Sequence, residues 1–380
     1  MNEVRAIDIR LLGKKRTGDE TVFFNLTKEL LKLDTKHQYL LLTDETDQTK
    51  LAIIQGKLGC IGQKNVQFVT LPGKNRFLWN LVTLPWFLSR NTVDVLHTQY
   101  ILPLWVPKRT KIALHIHDVS FAVYPELISW KDRFFLSLLI PRSLKRANVI
   151  LTPSQFTKDE IIKHYNISSQ KIVVIPNALS EEFLLSENNE EKRVREKYAL
   201  PKRFILYVGT LQPRKNIPLL IQALAEVRKK VSDITLVLVG NRSAHHFDKK
   251  IDWEIRSQGL EGLVYFPGYI DQGDLPIVLG SAEVFAFPSL YEGFGIPLLE
   301  AMSQGTPVAA SDIACLREIA GEAALYFDPT SVASCKKVLY TLLTDKEQRE
   351  RGIEMGHAQI SLFSWKKSAL LLKEEYERLS

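Results

Sequence analysis

The chain has 380 residues, which is too long for one typical hydrophobic core, so two domains are expected. Its composition, 45% hydrophobic and 24% charged, is that of an ordinary globular protein and excludes a disordered or fibrous chain. Three scattered cysteines exclude a disulfide framework and fit a reducing, cytoplasmic compartment. Neither an apolar signal segment nor a run of 18 apolar residues occurs, so no secretory signal and no membrane span are predicted.

The net charge of +7 is concentrated in the first half of the chain. Residues 1–180 carry 25 Lys and Arg against 15 Asp and Glu, whereas the remainder carries 25 against 28. A basic half favours an anionic partner. No nucleic-acid-binding motif occurs, so nucleic acid is not expected as a partner. We favour the inner face of a membrane that carries a lipid-linked acceptor, with a merely soluble basic surface as the open alternative.

The first half reads as strands that alternate with helices. Val4–Ile9 is a predicted strand, a helix with apolar residues at helical spacing follows, and residues 39–42 form the next strand. Further strands are predicted at residues 66–71, 93–97, 111–117, 148–152 and 171–176. This alternation predicts an open parallel α/β sheet, whose ligands bind beyond the carboxyl ends of the strands.

Two segments of the first half combine apolar and basic residues. Residues 75–89 are rich in aromatic side chains, and residues 129–147 form a predicted helix with five basic residues along it. Each fits either a helix at a membrane surface or a core helix with a solvated face. The sequence leaves both interpretations open.

Two histidines mark the end of the strand at residues 111–117. His115 and His117 are two residues apart, so a continuous strand directs them to the same face. His117 stands where the strand should end, next to Asp118. This position makes His117 a candidate site residue, although an isolated histidine is more often structural.

The strand–loop–helix pattern restarts after a polar, charged segment at residues 180–201. Residues 204–208 are a predicted buried strand, and the loop that follows contains Gly209, Arg214 and Lys215 before a helix begins at Ile217. Two cations at the positive end of a helix are unfavourable unless an anion lies nearby. The loop therefore predicts a phosphate-binding site.

A second glycine loop lies between a buried strand at residues 284–287 and a helix that Pro297 opens. Gly293 and Gly295 permit close approach of the backbone to a ligand, and the free N–H groups at the helix start favour an anion. The acids of this stretch, Glu292 and Glu300, would repel a phosphate but can accept hydrogen bonds from sugar hydroxyls.

These loops carry a family resemblance. Glu-Gly-Phe-Gly-Ile-Pro-Leu-Leu-Glu-Ala-Met, followed by Gly-Thr-Pro-Val, resembles the donor-binding signature of the retaining GT-B glycosyltransferases of family 4 (GT4). Gly-x-x-x-Pro-Arg-Lys-Asn at residues 209–216 resembles the same family. The resemblance implies two doubly wound, Rossmann-like domains that face a central crevice. Residues 1–178 would bind the acceptor, residues 179–362 would bind the donor, and residues 363–380 would form a terminal helix that crosses back to the first domain.

The resemblance also implies roles for single residues. Arg214 and Lys215 would hold the diphosphate of the donor, Glu292 its sugar hydroxyls and Glu300 its ribose, and His117 would line the sugar side. Backbone contacts to the donor would come from two further groups of positions: Gly18, Gly209, Tyr269 and Ile270, and the loop residues Gly293, Phe294, Gly295 and Ile296.

The activity implied is transfer of a hexose from a nucleotide-diphosphate sugar to a hydroxyl of a glycan or lipid-linked acceptor, with retention of configuration, in cell-surface polysaccharide synthesis. The Gly-Thr-Leu-x-Pro-Arg-Lys-Asn loop resembles that of bacterial mannosyltransferases, so GDP-mannose is the expected donor. No Asp-x-Asp pair and no metal-spaced cluster occurs, so a metal-independent reaction without a cofactor is expected. The alternatives are a non-catalytic bilobal sugar- or nucleotide-binding protein and a GT-B sugar-nucleotide epimerase. Replacement of Lys215 by alanine is expected to reduce turnover far more than stability.

Overall fold

The computed structural model describes residues 3–14, 18–73, 75, 78–127, 130–184, 190–243 and 247–379. Lys15 and Arg16, two basic residues that precede the first helix, lie outside these ranges. The chain divides into two compact units, Met1–Asn177 with Ser364–Ser380, and Ala178–Phe363. Among the described residues, no helix is long and apolar enough to cross a lipid bilayer.

The first unit is built on a sheet of seven parallel strands in the order β3-β2-β1-β4-β5-β6-β7. Its strands are β1 (Val4–Asp8), β2 (Gln38–Thr43), β3 (Val66–Thr70), β4 (Val95–Gln99), β5 (Lys111–His115), β6 (Val149–Thr152) and β7 (Ile172–Val174). Its helices are α1 (Gly18–Leu33), α2 (Gln48–Leu58), α3 (Leu84–Arg90), α4 (Ser120–Val123), α5 (Trp130–Arg146), α6 (Gln155–Tyr165) and the C-terminal α15 (Trp365–Leu379). Helix α15 packs on α1, so the end of the chain completes this unit.

The aromatic segment predicted as a helix at residues 75–89 differs from a regular α-helix. It contains a π-helical turn, Trp79–Thr83, directly before α3. The N–H of Leu84 bonds the carbonyl of Trp79, five residues back, and Pro85, which has no N–H, follows. The turn buries Trp79 but leaves Leu81 and Val82 exposed, so the segment is neither wholly a core helix nor wholly a surface one.

The second unit is built on six parallel strands in the order β10-β9-β8-β11-β12-β13. Its strands are β8 (Phe204–Val208), β9 (Thr235–Val239), β10 (Val264–Tyr265), β11 (Val284–Phe287), β12 (Val308–Ser311) and β13 (Ala324–Phe327). Its helices are α7 (Glu191–Lys197), α8 (Ile217–Arg228), α9 (Lys250–Ser257), α10 (Leu275–Gly280), α11 (Ile296–Ser303), α12 (Ala314–Ala320), α13 (Val332–Thr344) and α14 (Lys346–Ile360). The predicted α/β class with parallel sheets is therefore confirmed.

Each sheet has one point at which the strand order reverses. In the second unit, β8 is flanked by β9 on one side and by β11 on the other, and helices connect the consecutive strands. The connections leaving β8 and β11 run in opposite directions, which opens a gap beyond the carboxyl ends of these two strands. The two loops that the sequence marks as ligand-binding follow these two strands.

Candidate active site

The candidate site of the second unit forms where the loops after β8 and β11 meet. The first loop ends in a 3₁₀ turn, Pro213–Lys215, and Asn216 takes the left-handed conformation before α8 begins. The N–H of Leu290, in the second loop, bonds the carbonyl of Arg214 at 2.9 Å. This bond fixes the position of the basic turn against the glycine loop.

Three charged side chains join the two loops. The Arg214 guanidinium donates to the Tyr291 carbonyl at 2.8 Å and lies 3.3 Å from a carboxylate oxygen of Glu292. The Lys215 ammonium donates to the other carboxylate oxygen of Glu292. Lys215 is 8% exposed and Glu292 is 7% exposed, so this ion pair is largely withdrawn from water. With two cations and one anion, the cluster has a net positive charge.

The electrostatics favour a charged form for Glu292. Burial by itself raises the pKa of its carboxyl, but Lys215 and Arg214 outweigh this effect and hold the pKa below its ordinary value. The floor of the site is aromatic, because the Lys215 ammonium lies 5.4 Å from the centre of the Phe287 ring and Tyr207 is buried nearby in β8. Burial raises the pKa of the Tyr207 phenol well above its usual range, so this residue stays neutral.

The glycine loop is buried and depends on Gly295. This residue caps α11 with φ of 101°, a left-handed conformation that favours glycine. A Cβ atom built there would lie 3.0 Å from Leu316 Cδ2. The Phe294 ring packs edge-on against Phe363, and the Phe294 carbonyl accepts from the Cys315 thiol. The Phe294 side chain therefore stabilises the loop, and only its backbone remains for the ligand contact predicted from the sequence.

The other predicted donor residues occupy different places in the second unit. Glu300 is buried on α11, and Gly209 follows β8, its N–H bonded to the Val239 carbonyl at 3.0 Å. Tyr269 is 73% exposed, whereas its neighbour Ile270 is buried. The structure thus joins Arg214, Lys215 and Glu292 by direct contacts, and the assigned roles of all the predicted donor residues stay predictions.

In the first unit, His117 belongs to a stack of three histidines contributed by β4, by the end of β5 and by the residues just after β5. The rings of His115 and His117 are stacked with centres 4.4 Å apart, which confirms that both point to one face. His97, from β4, stacks on the other side of His115 at 5.8 Å. The Nε2 atom of His117 lies 3.1 Å from the Gln99 side-chain carbonyl, which orients its ring.

Sequence reasoning missed His97, the third member of this stack, and its partner Tyr376. His97 and Tyr376 join across a hydrogen-bond distance of 2.7 Å, although they are far apart in the chain. Burial lowers the pKa of His97 to about 3 and that of His115 well below its usual value, so both rings are neutral. The signal in the sequence was a histidine at the end of each of two consecutive strands. Gly18, predicted in the preceding loop, is the first residue of α1, and a Cβ atom there would meet open space.

No group of three or more His, Cys, Asp or Glu side chains in the described ranges could hold a metal ion. The groups that the contacts bring together in the second unit are two fixed cations and backbone N–H groups beside a buried carboxylate. Such an arrangement can bind a diphosphate and stabilise negative charge that develops on it.

Two family sequence models match the chain. The model described as "Glycosyl transferases group 1" matches residues 188–359, and the one described as "Glycosyltransferase Family 4" matches residues 16–183. Together they span the candidate site of the second unit and the histidine stack of the first.

Curated relatives carry mannosyltransferase names. The chain is 36% identical to O-antigen chain mannosyltransferase B of Escherichia coli, over 69% of this chain and 69% of that protein. It is 30% identical to O-antigen chain mannosyltransferase RfbU of Salmonella typhimurium, over 62% and 61%. The match to serotype-specific mannosyltransferase WbdA of Escherichia coli is 32% identical and covers 62% of this chain but only 29% of that longer protein.

Solved structures match over the full length. Sucrose-phosphate synthase from Thermosynechococcus elongatus superposes with a TM-score of 0.77 at 19% identity, covering 100% of this chain and 99% of that one. HepE from Anabaena, in complex with UDP and glucose, gives 0.75 at 17% identity and covers 100% of both chains. At this identity the likeness establishes the fold, and it is the predicted GT-B fold. Because both family models and these relatives match it, the chain belongs to glycosyltransferase family 4, the group 1 glycosyl transferases.

Proposed function

We propose that this chain transfers a mannosyl residue from GDP-mannose to a hydroxyl of a glycan or lipid-linked acceptor, with retention of configuration, in cell-surface polysaccharide synthesis. The observation that carries the proposal is the buried cluster of Arg214, Lys215 and Glu292 at the reversal point of the second sheet. The names of the mannosyltransferase relatives support the sugar and the pathway.

In the proposed reaction, Arg214 and Lys215 bind the diphosphate of the donor. Both cations are held in place before a ligand arrives, by the Glu292 carboxylate and, for Arg214, also by the Tyr291 carbonyl. Negative charge grows on the leaving diphosphate as the glycosidic bond breaks. Cations that need no rearrangement stabilise this charge more in the transition state than in the ground state.

Glu292 has two parts in the proposal. It neutralises one of the two cations while the site is empty, which limits the cost of burying like charges together. When the donor binds, the cations keep these positions and bind the diphosphate through their remaining N–H groups, and the carboxylate accepts hydrogen bonds from the sugar hydroxyls. The lowered pKa of Glu292 keeps it an acceptor at neutral pH.

The remaining donor contacts follow the family resemblance. The N–H groups of the loop from Gly293 to Ile296 bind the sugar and phosphate, Glu300 binds the ribose, and the backbone near Tyr269 binds the base. His117 lines the sugar side. We further propose same-face attack, in which the acceptor hydroxyl forms the new bond to the anomeric carbon as the bond to the phosphate breaks, and its proton passes to the departing phosphate. In this scheme neither a cofactor nor a metal ion takes part.

The first experiment is a thermal-shift screen of nucleotides and nucleotide sugars, with and without EDTA. Stabilisation by GDP-mannose above other donors, unchanged by EDTA, is expected. No shift with any nucleotide sugar at millimolar concentration would contradict the donor site. Loss of the shift in EDTA would contradict metal independence alone.

The second experiment is release of GDP from GDP-mannose in the presence of a mannose-containing acceptor. A transferase releases GDP, a binding protein does not, and an epimerase converts the sugar nucleotide without acceptor. NMR of the product tests retention. Lys215→Met should abolish most turnover, and Lys229→Met, at an exposed lysine of the same unit paired with Glu226, is the matched control that should leave turnover unchanged.

A further inference from the structure

An apolar surface of the first unit lies open to solvent and joins three segments of the chain. On α5, Phe134 and Leu138 are each 62% exposed, with Phe135 beside them. Trp105 in the loop after β4 is 52% exposed, and Val82 in the π-helical turn is 54% exposed. Large side chains of this kind are normally scattered singly on a soluble protein, so a group of them needs an explanation. We call the surface formed by residues 81–86, 104–105 and 134–138 the apolar face.

The three segments are neighbours in space and are fixed to one another. The N–H of Leu104 bonds the Asn80 carbonyl at 2.8 Å. The Arg142 guanidinium on α5 donates to the carbonyls of Pro103 and Leu104. A shallow cleft between the segments is lined by Leu81, Ile101, Leu104, Leu139 and Arg142. The apolar face is therefore one built surface, and its parts are joined by one backbone hydrogen bond and by the bonds from the Arg142 side chain.

The charges around the apolar face have nearly a single sign. Residues 78–109 and 130–146 carry eight Lys and Arg but only two acids, Asp94 and Asp132. The Asp94 carboxylate accepts from the N–H of Val4, next to the sheet, so it is engaged in the fold. Among the basic side chains, Arg90, Lys108, Arg109, Arg133, Arg142 and Lys145 are exposed and Arg146 is half-buried.

One aromatic residue at the edge of the apolar face, Trp86, lies beside a basic residue, Arg90. The Arg90 guanidinium lies 4.4 Å from the centre of the exposed Trp86 ring, so the cation and the indole stand side by side. Tryptophan and arginine at the border of an apolar surface suit the boundary between lipid headgroups and acyl chains. A second copy of this chain would bring the same row of positive charges against itself, which disfavours self-association through this face.

We propose that the apolar face docks this protein on an anionic lipid bilayer. Phe134, Leu138, Trp105 and Val82 enter the headgroup region, and the basic residues contact anionic headgroups. The sequence raised a membrane surface as one interpretation of the basic half; the structure gives this interpretation a specific surface, one that the donor chemistry of the second unit does not involve. The proposal stands or falls separately from the proposed transferase reaction.

The test is sedimentation of the full-length protein with vesicles of phosphatidylcholine alone and with about 30% phosphatidylglycerol. Binding to the anionic vesicles is expected, with weakening as salt rises from about 0.1 M to about 0.5 M. The double variant Phe134→Ser/Leu138→Ser should bind about tenfold more weakly or worse. The pair Arg133→Gln/Lys145→Gln should weaken binding about fivefold per charge removed.

A matched pair of tryptophan variants controls for nonspecific adhesion. Trp105→Ser should weaken vesicle binding, whereas Trp253→Ser, which removes a 64% exposed tryptophan from α9 of the second unit, should not. Circular dichroism and donor-induced thermal shifts of each variant show that the fold is retained. Equal binding of all variants, or no binding to anionic vesicles, would overturn the proposal. Light scattering that shows a wild-type dimer, converted to a monomer by Leu138→Ser without vesicle binding, would assign the face to self-association instead.

Discussion

Replacing Lys215 by methionine leaves the Glu292 carboxylate buried with one fewer cation, and this should cost stability as well as activity. At a separation of 3.3 Å and an effective dielectric constant of about 20, the remaining Arg214–Glu292 attraction amounts to about 5 kcal/mol before desolvation is subtracted. The desolvation cost of both charges offsets most of such a term. That remaining attraction does not replace the lost Lys215 contact, and breaking a buried ion pair by removing one partner generally costs about 3–5 kcal/mol, which is the loss expected here.

The sequence alone suggested a different result, namely a large loss of turnover with little change in stability. The structure changes this expectation because Lys215 and Glu292 are withdrawn from water together. For a unit of this size, each kcal/mol lowers the melting temperature by about 2–4 °C. Lys215→Met and Glu292→Gln should each lower it by roughly 6–20 °C.

A double-mutant cycle separates the ion pair from other effects. Urea denaturation of the full chain, followed by circular dichroism, gives the free energy of unfolding for each single variant and for Lys215→Met/Glu292→Gln. The double variant should lose about 2–3 kcal/mol less than the sum of the single losses, because neither charge is left buried without the other. Lys229→Met, in the exposed pair with Glu226, is the control and should leave stability near that of the wild type.

Additive losses, with a coupling energy below about 0.5 kcal/mol, would refute the reasoning. The pH dependence gives a second check. Because the folded pKa of Glu292 lies below its unfolded value, the stability of the pair is fully present above that unfolded value of about 4.5 and is lost as the pH falls below it. The measured coupling should therefore shrink in acid.

Three further changes test other parts of the molecule. The buried histidines His97 and His115 have folded pKa values below the unfolded value of 6.5, so the stability that each contributes is fully present above pH 6.5 and is lost on acidification, at up to about 1.4 kcal/mol per pH unit. His115→Phe should reduce this slope in pH-dependent melts. An unchanged slope would show that His115 does not titrate on unfolding. Because φ of Gly295 is 101°, Gly295→Ala should lower the free energy of unfolding by about 1–2 kcal/mol in urea denaturation and weaken donor binding in thermal shift. Gly273→Ala is the control and should be tolerated, since a Cβ atom there meets open space at an ordinary φ. Equal losses in the two variants would contradict the backbone argument. Gly18→Ala should leave the melting temperature unchanged, since a Cβ at the start of α1 meets open space, and a selective loss of GDP release with an intact fold would support the donor role predicted for Gly18.

The strands show which features of the fold local sequence predicts well. Each buried strand of the second unit is a short apolar run between turn residues, so β8 and β11 were predicted close to their observed bounds. The aromatic segment before α3 was predicted less well, because a π-helical turn depends on one hydrogen bond to the fifth preceding residue and has no marked sequence pattern.

The ion cluster shows a contact that local sequence does not predict. The sequence identified Arg214 and Lys215 as cations that need a nearby anion, and we inferred that this anion is a phosphate of the ligand. In the structure Glu292, 77 residues along the chain, meets both. The same limit applies to His97 and Tyr376, which meet only because α15 returns to the first unit.

The sequence by itself determined the α/β class, the parallel sheets, the glycine loop and the types of charge available for a diphosphate. These features depend on local periodicity and on residues with special backbone freedom, which are written in contiguous stretches of chain. The tertiary structure alone decided that β11 lies beside β8, and therefore that Glu292 pairs with Lys215 in a buried site. It also decided which apolar side chains of the π-helical turn and α5 remain exposed. Strand order and burial depend on packing between segments far apart in sequence, and local sequence patterns do not predict which of these segments come into contact.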